Sequence, residues 1–79
     1  MLSELETASA VVGVKQARRA LAGGRAKRIY LAKDAYPDLT EPLERQASEQ
    51  GVETAWAESM KALGKACGIA VGTAAAAII

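Results

Sequence analysis

Short apolar runs alternate with polar clusters and chain breakers along the sequence, and their spacing predicts the elements of the fold. Ala10–Val12 and Arg28–Ala32 are short, rich in residues that favour extended backbone, and bounded by breakers. Between them, apolar residues recur at helical spacing from Val14 and stop at Gly23 and Gly24. The pattern therefore predicts two strands joined by a helix.

The loop KDAYPD follows the second strand and leads into another predicted helix. Asp38 or Thr40 can cap its start, and Gly51 stops it after about Gln50. Pro42 is tolerated only if it lies in the first turn or close to it, since an interior proline breaks the hydrogen-bond ladder. The residues expected to face the core from this helix are Leu39, Leu43 and Ala47.

The rest of the chain predicts a strand, a helix and a final strand. Val, Thr and Trp alternate with Glu and Ala over 52–57, which is the period of a half-buried strand. Ser59 is expected to cap a helix that runs to about Cys67, with Met60 and Leu63 facing inward. The apolar run 74–79 is predicted to be a buried central strand.

At the start of the chain, Ser3 and Glu6 have the spacing of a capping box, which predicts a short helix over about Ser3–Ala8. Helices that alternate with four short strands imply an α/β fold, here a three-layer α/β/α sandwich with a four-stranded mixed sheet. Residues 1–79 are expected to form one domain, because a chain of 79 residues has no room for a second core.

Composition narrows the class of protein. The apolar residues are mainly Ala, Val, Ile and Leu, with no Phe, which suits thin layers packed closely together. Cys67 is the only cysteine, so no intrachain disulfide can form and a reducing cytoplasm is the expected location. The first residues lack a signal-peptide pattern, and the longest apolar stretch, 66–79, is shorter than the roughly 20 residues that cross a bilayer. No membrane role is expected.

Charge is unevenly distributed, although the net charge is only +1. Residues 1–33 hold seven Lys or Arg and two Glu, whereas residues 34–60 hold one Arg and seven Asp or Glu. Lys15, Arg18 and Arg19 share one face of a predicted helix, where like charges repel by about 0.2–0.5 kcal/mol per pair. Because no acidic residue lies nearby in the sequence, an external anion such as phosphate is expected to relieve this repulsion.

The residue types that catalysis needs are largely missing. The chain has no histidine, which removes the usual general base and the commonest metal ligand. Cys67 lies in an apolar stretch and is expected to be a buried structural thiol. Asp34, Asp38 and Glu41 lack EF-hand spacing, and GGRAKR precedes a strand and lacks the Gly-Lys-Ser/Thr ending of a phosphate-binding loop. We therefore expect no enzyme activity, no metal and no cofactor.

The short loop at 69–71, Ile-Ala-Val between two glycines, permits two interpretations. Apolar side chains held in this way usually pack into the core, which is the favoured interpretation from the residues alone. If they were exposed, they would give an unstacked nucleobase an apolar surface, which is how proteins commonly read RNA that is not continuous duplex.

Three separated stretches, GVKQARRAL, IYLAKDAYPD and LGKACGIAVGTAAAAII, resemble in order and spacing the kink-turn RNA-binding ribosomal proteins of the archaeal large subunit, of the L7Ae and L30e type. The chain is most similar to the short bacterial YbxF-like branch, and the resemblance covers residues 11–79. It implies an α/β/α sandwich that binds kink-turns, which are sharply bent RNA elements with tandem sheared G·A pairs beside a three-nucleotide bulge.

The resemblance also implies which residues contact RNA. The family's helix-start motif faces the G·A pairs, and the family's apolar loop lies against the bulge and its extruded base. Arg28 is a further candidate for a phosphate contact. The residues expected to bind RNA are Gly13, Val14, Lys15, Gln16, Arg18, Arg19, Lys33, Lys61, Lys65, Ile69, Ala70 and Val71.

Several positions differ from the family pattern. Lys15 and Gln16 stand where archaeal members typically have Asn and Glu, and Ala70 stands where they have an acid. These changes remove negative charge next to RNA, so phosphate attraction should rise while hydrogen-bonded base selection loosens. Met60 occupies a position where the family often has Lys, which leaves Lys61 to reach the backbone.

The expected partner is RNA that contains a kink-turn, bound by a protein that is a monomer when free and uses no small-molecule substrate. The alternative is a protein-interaction adaptor on the same fold, in which Glu41, Glu44 and Glu49 dock a basic protein. Salt-sensitive binding to a kink-turn RNA, compared with a control whose G·A pairs are disrupted, separates the two hypotheses.

Overall fold

The computed structural model describes Leu5 and residues 9–79 of the chain. Within this part, the strands are β1 (Ala10–Val12), β2 (Arg28–Ala32), β3 (Glu53–Ala57) and β4 (Ala75–Ile78), and the helices are α1 (Val14–Ala22), α2 (Pro37–Glu49) and α3 (Met60–Ala66). Each strand and helix predicted over these residues is confirmed, with bounds that differ by a few residues at most. The helix predicted over 3–8 lies outside the described residues, apart from Leu5.

The strands form one mixed sheet in the order β1-β4-β2-β3. Both β1 and β2 pair antiparallel with β4, whereas β2 and β3 are parallel. The prediction of a central terminal strand is confirmed, because β4 lies between two partners and all four of its residues are buried. Three of these residues are alanines, so the layers on both faces can approach the middle of the sheet closely.

A core cluster lies on each face of the sheet, which confirms the sandwich. On one face α1 and α2 pack against β2 and β4, and the largest buried side chains there are Leu21, Ile29, Leu31 and Leu43. On the other face α3 and Leu5 cover Tyr30 and Ile78, with Leu63 buried at the centre of the contact. No helix of the described part is both long and apolar enough to cross a membrane.

All three described helices end in the same way, at glycines that follow their last turns. Gly24, Gly51 and Gly68 have φ angles of 68°, 70° and 79°. In each case the amides of the glycine and of the residue after it donate hydrogen bonds to carbonyls of the last helical turn. This is the Schellman arrangement. The stops predicted at Gly23–Gly24 and at Gly51 are therefore confirmed, and Gly68 ends α3 in the same way.

The start of α2 differs from the prediction. The helix begins at Pro37, and Tyr36 occupies the capping position without a side-chain hydrogen bond, so neither predicted cap is used. Pro42 is consequently the sixth helical residue and lies in the second turn. This register buries Thr40, which is 4% exposed, and leaves Leu39 40% exposed, so the expected inner position of Leu39 is wrong.

The strand predicted over 52–57 keeps its alternation as β3. Ala55 and Ala57 are buried, whereas Trp56 is exposed. Ala55 and Ala57 face the core cluster around Tyr30, and Trp56 lies on the other, less buried face of the strand. At the start of α3 the predicted cap is confirmed, since the Ser59 hydroxyl accepts a hydrogen bond from the Ala62 amide at 3.0 Å.

Candidate nucleic-acid interface

The three described helices all begin at one edge of the sheet. Strands β1, β2 and β3 run in the same direction, so the helix that follows each of them starts at the edge where that strand ends. Because β4 runs the opposite way, it enters the sheet at the same place. We call this the binding edge and define it by Val12, Ala32, Ala57 and Ala75.

Gly13 turns the chain from β1 into α1 at the binding edge. Its φ of 105° and ψ of 157° lie in a region that is essentially restricted to glycine. The first helical hydrogen bond is donated by Ala17 to the Gly13 carbonyl at 2.9 Å. The preceding amides, those of residues 14–16, therefore have no acceptor among the described residues, and a helix start of this kind attracts anions.

The cations of α1 lie on its solvent side, opposite the buried Ala17, Ala20 and Leu21. Lys15, Gln16, Arg18 and Arg19 are all exposed. Arg18 differs from these neighbours in that it also lines a cleft of about 140 Å³ between α1 and α2. The first turn carries no acidic residue, so the positive end of the helix and its cations act together.

The loop at 69–71 is exposed, so the favoured interpretation that its side chains pack into the core is wrong. Val71 is 71% exposed and Ile69 is 37% exposed. The loop is nevertheless tightly held: the Ile69 amide donates to the Gly64 carbonyl at 3.1 Å, and the Thr73 amide donates to the Met60 carbonyl at 3.1 Å. Its apolar side chains are thus presented to solvent on a fixed backbone.

Two glycines allow the loop to lie directly on α3. A Cβ atom at Gly64 would overlap the carbonyl oxygen of Val71, and one at Gly72 would lie 3.0 Å from the carbonyl carbon of Met60. Larger residues at either position would push the loop away from the helix. Close backbone contact therefore explains why the apolar side chains point outward, and sequence reasoning missed this because the contact joins two elements.

The loop and the start of α1 meet at a single acceptor, the carbonyl oxygen of Ala75. The Gly13 amide donates to it at 2.8 Å, and the buried Thr73 hydroxyl donates to it at 3.0 Å. The cationic helix start and the exposed apolar loop therefore lie at the same edge of the molecule.

The remaining predicted contacts are distributed differently. Lys33 lies at the binding edge, where its ammonium is 3.2 Å from a carboxylate oxygen of Glu58. Lys61 is exposed in the first turn of α3, and Lys65 is exposed about one turn further from the edge. Arg28, by contrast, lies at the opposite end of β2 in an ion pair with Glu53. Arg28 is therefore separated from the other predicted contacts.

Two residues of the binding edge were not singled out as site residues. The Asp34 carboxylate accepts a hydrogen bond from the Met60 amide at 2.7 Å, so it fixes the start of α3 from the loop after β2. Tyr36 is 77% exposed at the start of α2. The sequence signal for both was the loop KDAYPD, but only the topology brings that loop beside the other helix starts.

The chemistry of the described residues adds little beyond binding. Among them, no group of three or more acidic or cysteine side chains is placed to hold a metal ion. Cys67 packs against the core cluster around Tyr30 but is only half-buried, so it is less buried than expected. Desolvation by burial raises the pKa of this thiol, which disfavours the reactive thiolate.

The acidic residues of α2 lie on another surface. Glu41, Glu44 and Glu49 line an open groove of about 700 Å³ between α2 and β3, together with Arg45. The cations of α1 are absent from the lining of this groove. The three glutamates of α2 therefore lie on a different surface from the cations of α1.

Comparison with known proteins identifies the family. Residues 3–79 match the model of the ribosomal protein L7Ae/L30e/S12e/Gadd45 family. The chain is 49% identical over 71 residues to an RNA-binding protein of Bacillus pumilus, covering 90% of this chain and 87% of that protein. It is 43% identical over 75 residues to the RNA-binding protein YbxF of Geobacillus stearothermophilus, covering 95% of this chain and 92% of that protein.

A solved structure agrees with these matches. The 15.5-kD RNA-binding protein of Giardia lamblia superposes with a TM-score of 0.83 at 28% identity, covering 98% of this chain and 63% of that one. The chain thus belongs to the ribosomal protein L7Ae/L30e/S12e/Gadd45 family, and it resembles the short bacterial members closely, as the sequence motifs indicated. Its relatives are RNA-binding and ribosomal proteins, which agrees with the expectation that it is not an enzyme.

Proposed function

We propose that this chain is a non-catalytic RNA-binding protein that recognises and stabilises kink-turns. The observation that supports this most strongly is the shared carbonyl of Ala75, which holds the cationic start of α1 beside the exposed loop 69–71. RNA binding by relatives that cover nearly the whole chain supports the same proposal.

In this proposal the start of α1 addresses the G·A pairs. The Gly13 backbone allows close approach, since no atom lies within 4 Å of the position a Cβ would take. Gln16 offers both a donor and an acceptor to base edges, whereas Lys15, Arg18 and Arg19 neutralise phosphates. Lys33, Lys61 and Lys65 supply weaker phosphate contacts at a greater distance from the helix start.

The loop at 69–71 covers the bulge. An extruded base has an apolar face, and the exposed side chains of Ile69 and Val71 give that face a surface to pack on. Because the loop is already fixed by hydrogen bonds to α3, little conformational entropy is lost when RNA binds. The loop therefore favours an RNA whose base is already extruded over one whose bases are stacked.

Stabilisation of the bend follows from differential affinity. RNA with this motif exchanges between an extended and a kinked state, and a protein that binds the kinked state more tightly shifts the population toward it. The proposed contacts need the G·A pairs and the bulge on adjacent sides of one bend. An extended RNA can satisfy only one of the two sets of contacts. The protein therefore acts by binding alone, without any chemical step. In this proposal it does so as a monomer in the cytoplasm.

The test is a pair of binding titrations with a kink-turn RNA and a matched RNA in which the sheared G·A pairs are replaced by Watson–Crick pairs. Donor and acceptor dyes on the two RNA stems report the bend. The proposal predicts tight, salt-dependent binding with a rise in energy transfer for the kink-turn RNA only. Equal affinity for both RNAs, without bending, would contradict it, and binding to basic proteins but not to RNA would favour the adaptor.

A further inference from the structure

We propose that the RNA footprint extends beyond the bent motif, along α1 and onto the opposite edge of the sheet, so that this protein also binds one duplex stem of its RNA. The residues that carry this second contact are Arg25 and Lys27. The inference rests on the proposed function, because it extends the same RNA from the binding edge along the molecule.

Four cations follow one another along the outer side of α1 and its C-terminal turn. Lys15 and Arg19 are one turn apart on the exposed face, and Arg25 and Lys27 follow the end of the helix. We call these four residues the α1 ridge. The nine residues of α1 span roughly 13 Å at a rise of about 1.5 Å per residue, and Arg25 and Lys27 follow its last turn.

The Arg25 side chain folds back toward the helix instead of extending into solvent. Its Nε atom lies 3.4 Å and its Cγ atom 3.9 Å from the position that a Cβ atom of Gly23 would occupy. The Arg25 side chain therefore lies against the last turn of α1. This contact places Arg25 at the C-terminal end of α1, opposite the binding edge.

The ridge cations form no ion pair with any described residue, unlike other cations of the chain. Arg28, next to Lys27 in the sequence, pairs with Glu53, and Lys33 pairs with Glu58. A cation near the C-terminus of a helix interacts favourably with the helix dipole, which accounts for one cation near the last turn of α1. Lys27 lies beyond that turn, so the dipole does not account for it. Exposed cations that have no acidic partner among the described residues and that lead away from the proposed phosphate contacts are suited to the backbone of a duplex.

The length of the ridge defines the ligand. Duplex DNA places a phosphate about every 3.4 Å along each strand, and on that spacing roughly 13 Å corresponds to about four base pairs of stem. The preferred RNA is therefore a kink-turn in which one stem continues as uninterrupted duplex past the bend. An RNA trimmed close to the motif would lose the contacts of Arg25 and Lys27 but keep those at the binding edge.

The experiment compares three RNAs with the same kink-turn: one with both stems trimmed to about three base pairs beyond the motif, and two in which one stem or the other is extended by about eight base pairs, a span longer than the ridge. Wild type is compared with R25Q/K27Q and with R45Q, which removes a charge from the groove between α2 and β3. Circular dichroism confirms that each variant is folded. Affinity is measured between about 0.05 and 0.2 M salt.

The proposal predicts that extension of one particular stem raises wild-type affinity by about tenfold near 0.1 M salt, and that R25Q/K27Q loses this gain while binding the trimmed RNA normally. The slope of log K against log salt on the extended RNA should fall by about 2 in that variant. The inference is overturned if neither stem raises the affinity, if R25Q/K27Q keeps the gain, or if R45Q loses it equally. Failure of wild type to bind the trimmed RNA would instead reject the proposed function.

Discussion

The amide of Gly13 donates a 2.8 Å hydrogen bond to the carbonyl oxygen of Ala75, and this bond joins the two halves of the proposed RNA site. Gly13 is the capping residue of α1, and Ala75 is the first residue of the central strand. The chain reaches Ala75 directly from the exposed loop. Any movement of the helix start is thereby coupled to the loop through one short segment of backbone.

The backbone conformation of Gly13 predicts a stability effect. Gly13→Ala places a Cβ on a residue with a φ of 105°, a conformation that is strained for alanine. The substitution should therefore lower the free energy of unfolding by about 1–3 kcal/mol. Gly23→Ala is the matched control, because Gly23 has a φ of −85° and its nearest neighbours would lie at an ordinary 3.4 Å. Urea unfolding followed by circular dichroism measures both, and equal stability of the two variants would contradict the strain at position 13.

The contact between α3 and the loop predicts a reversal of the usual effect of helical glycine. Gly→Ala inside a helix ordinarily stabilises by about 1 kcal/mol. Gly64→Ala should instead destabilise by about 1–3 kcal/mol, since its methyl group would overlap the carbonyl oxygen of Val71. Lys65→Ala, a solvent-exposed change in the same helix, serves as the control in urea unfolding. A gain in stability for Gly64→Ala would show that the loop does not lie on α3.

The hydrogen bond from the Met60 amide to the Asp34 carboxylate predicts a stability role for an exposed acid. Asp34→Ala should lower the free energy of unfolding by about 1 kcal/mol, as expected for loss of a helix cap. Asp34→Asn keeps an accepting oxygen and should cost less. Glu44→Ala, on the exposed face of α2, is expected to change stability by less than about 0.5 kcal/mol. Thermal and urea unfolding would refute the role if all three variants matched wild type.

The exposure of Val71 separates binding from folding. The Val71 side chain is 71% exposed, so Val71→Asp should change the free energy of unfolding by less than about 0.5 kcal/mol. The same change should weaken binding to kink-turn RNA by at least tenfold, because a carboxylate would be set against a base and close to phosphates. Ser48→Asp adds an equal charge on α2, far from the binding edge, and should leave RNA affinity nearly unchanged. A similar loss in both variants would attribute the effect to net charge alone.

Local sequence patterns were sufficient for most of the fold. Strand β2 and the three glycine stops follow from features within a few residues of one another. Leu39 shows the limit of such patterns, because Leu39 and Thr40 both have helical spacing to Leu43, and hydrophobicity favoured the wrong one. The register was decided by Pro37, whose fixed φ starts the helix earlier than the predicted caps would.

The candidate site needed more than local patterns. The cations of α1 were identified from their spacing and the absence of acidic neighbours. The outward direction of the loop at 69–71 could not be predicted in that way, because it depends on the contacts of Gly64 and Gly72 with backbone of another element. Arg28 was grouped with the other cations by sequence, but its position at the far end of β2 pairs it with Glu53.

The affinity of Lys15→Ala/Arg19→Ala for a kink-turn RNA decides whether the start of α1 binds RNA, and it is measured by gel-shift titration alongside the circular dichroism of the same preparations. Both side chains are exposed, so the variant should keep the wild-type spectrum and unfolding midpoint. Loss of two phosphate contacts predicts affinity lower by at least tenfold near 0.1 M salt and a salt slope smaller by about 2. A folded variant that binds the RNA as tightly as wild type would contradict the account.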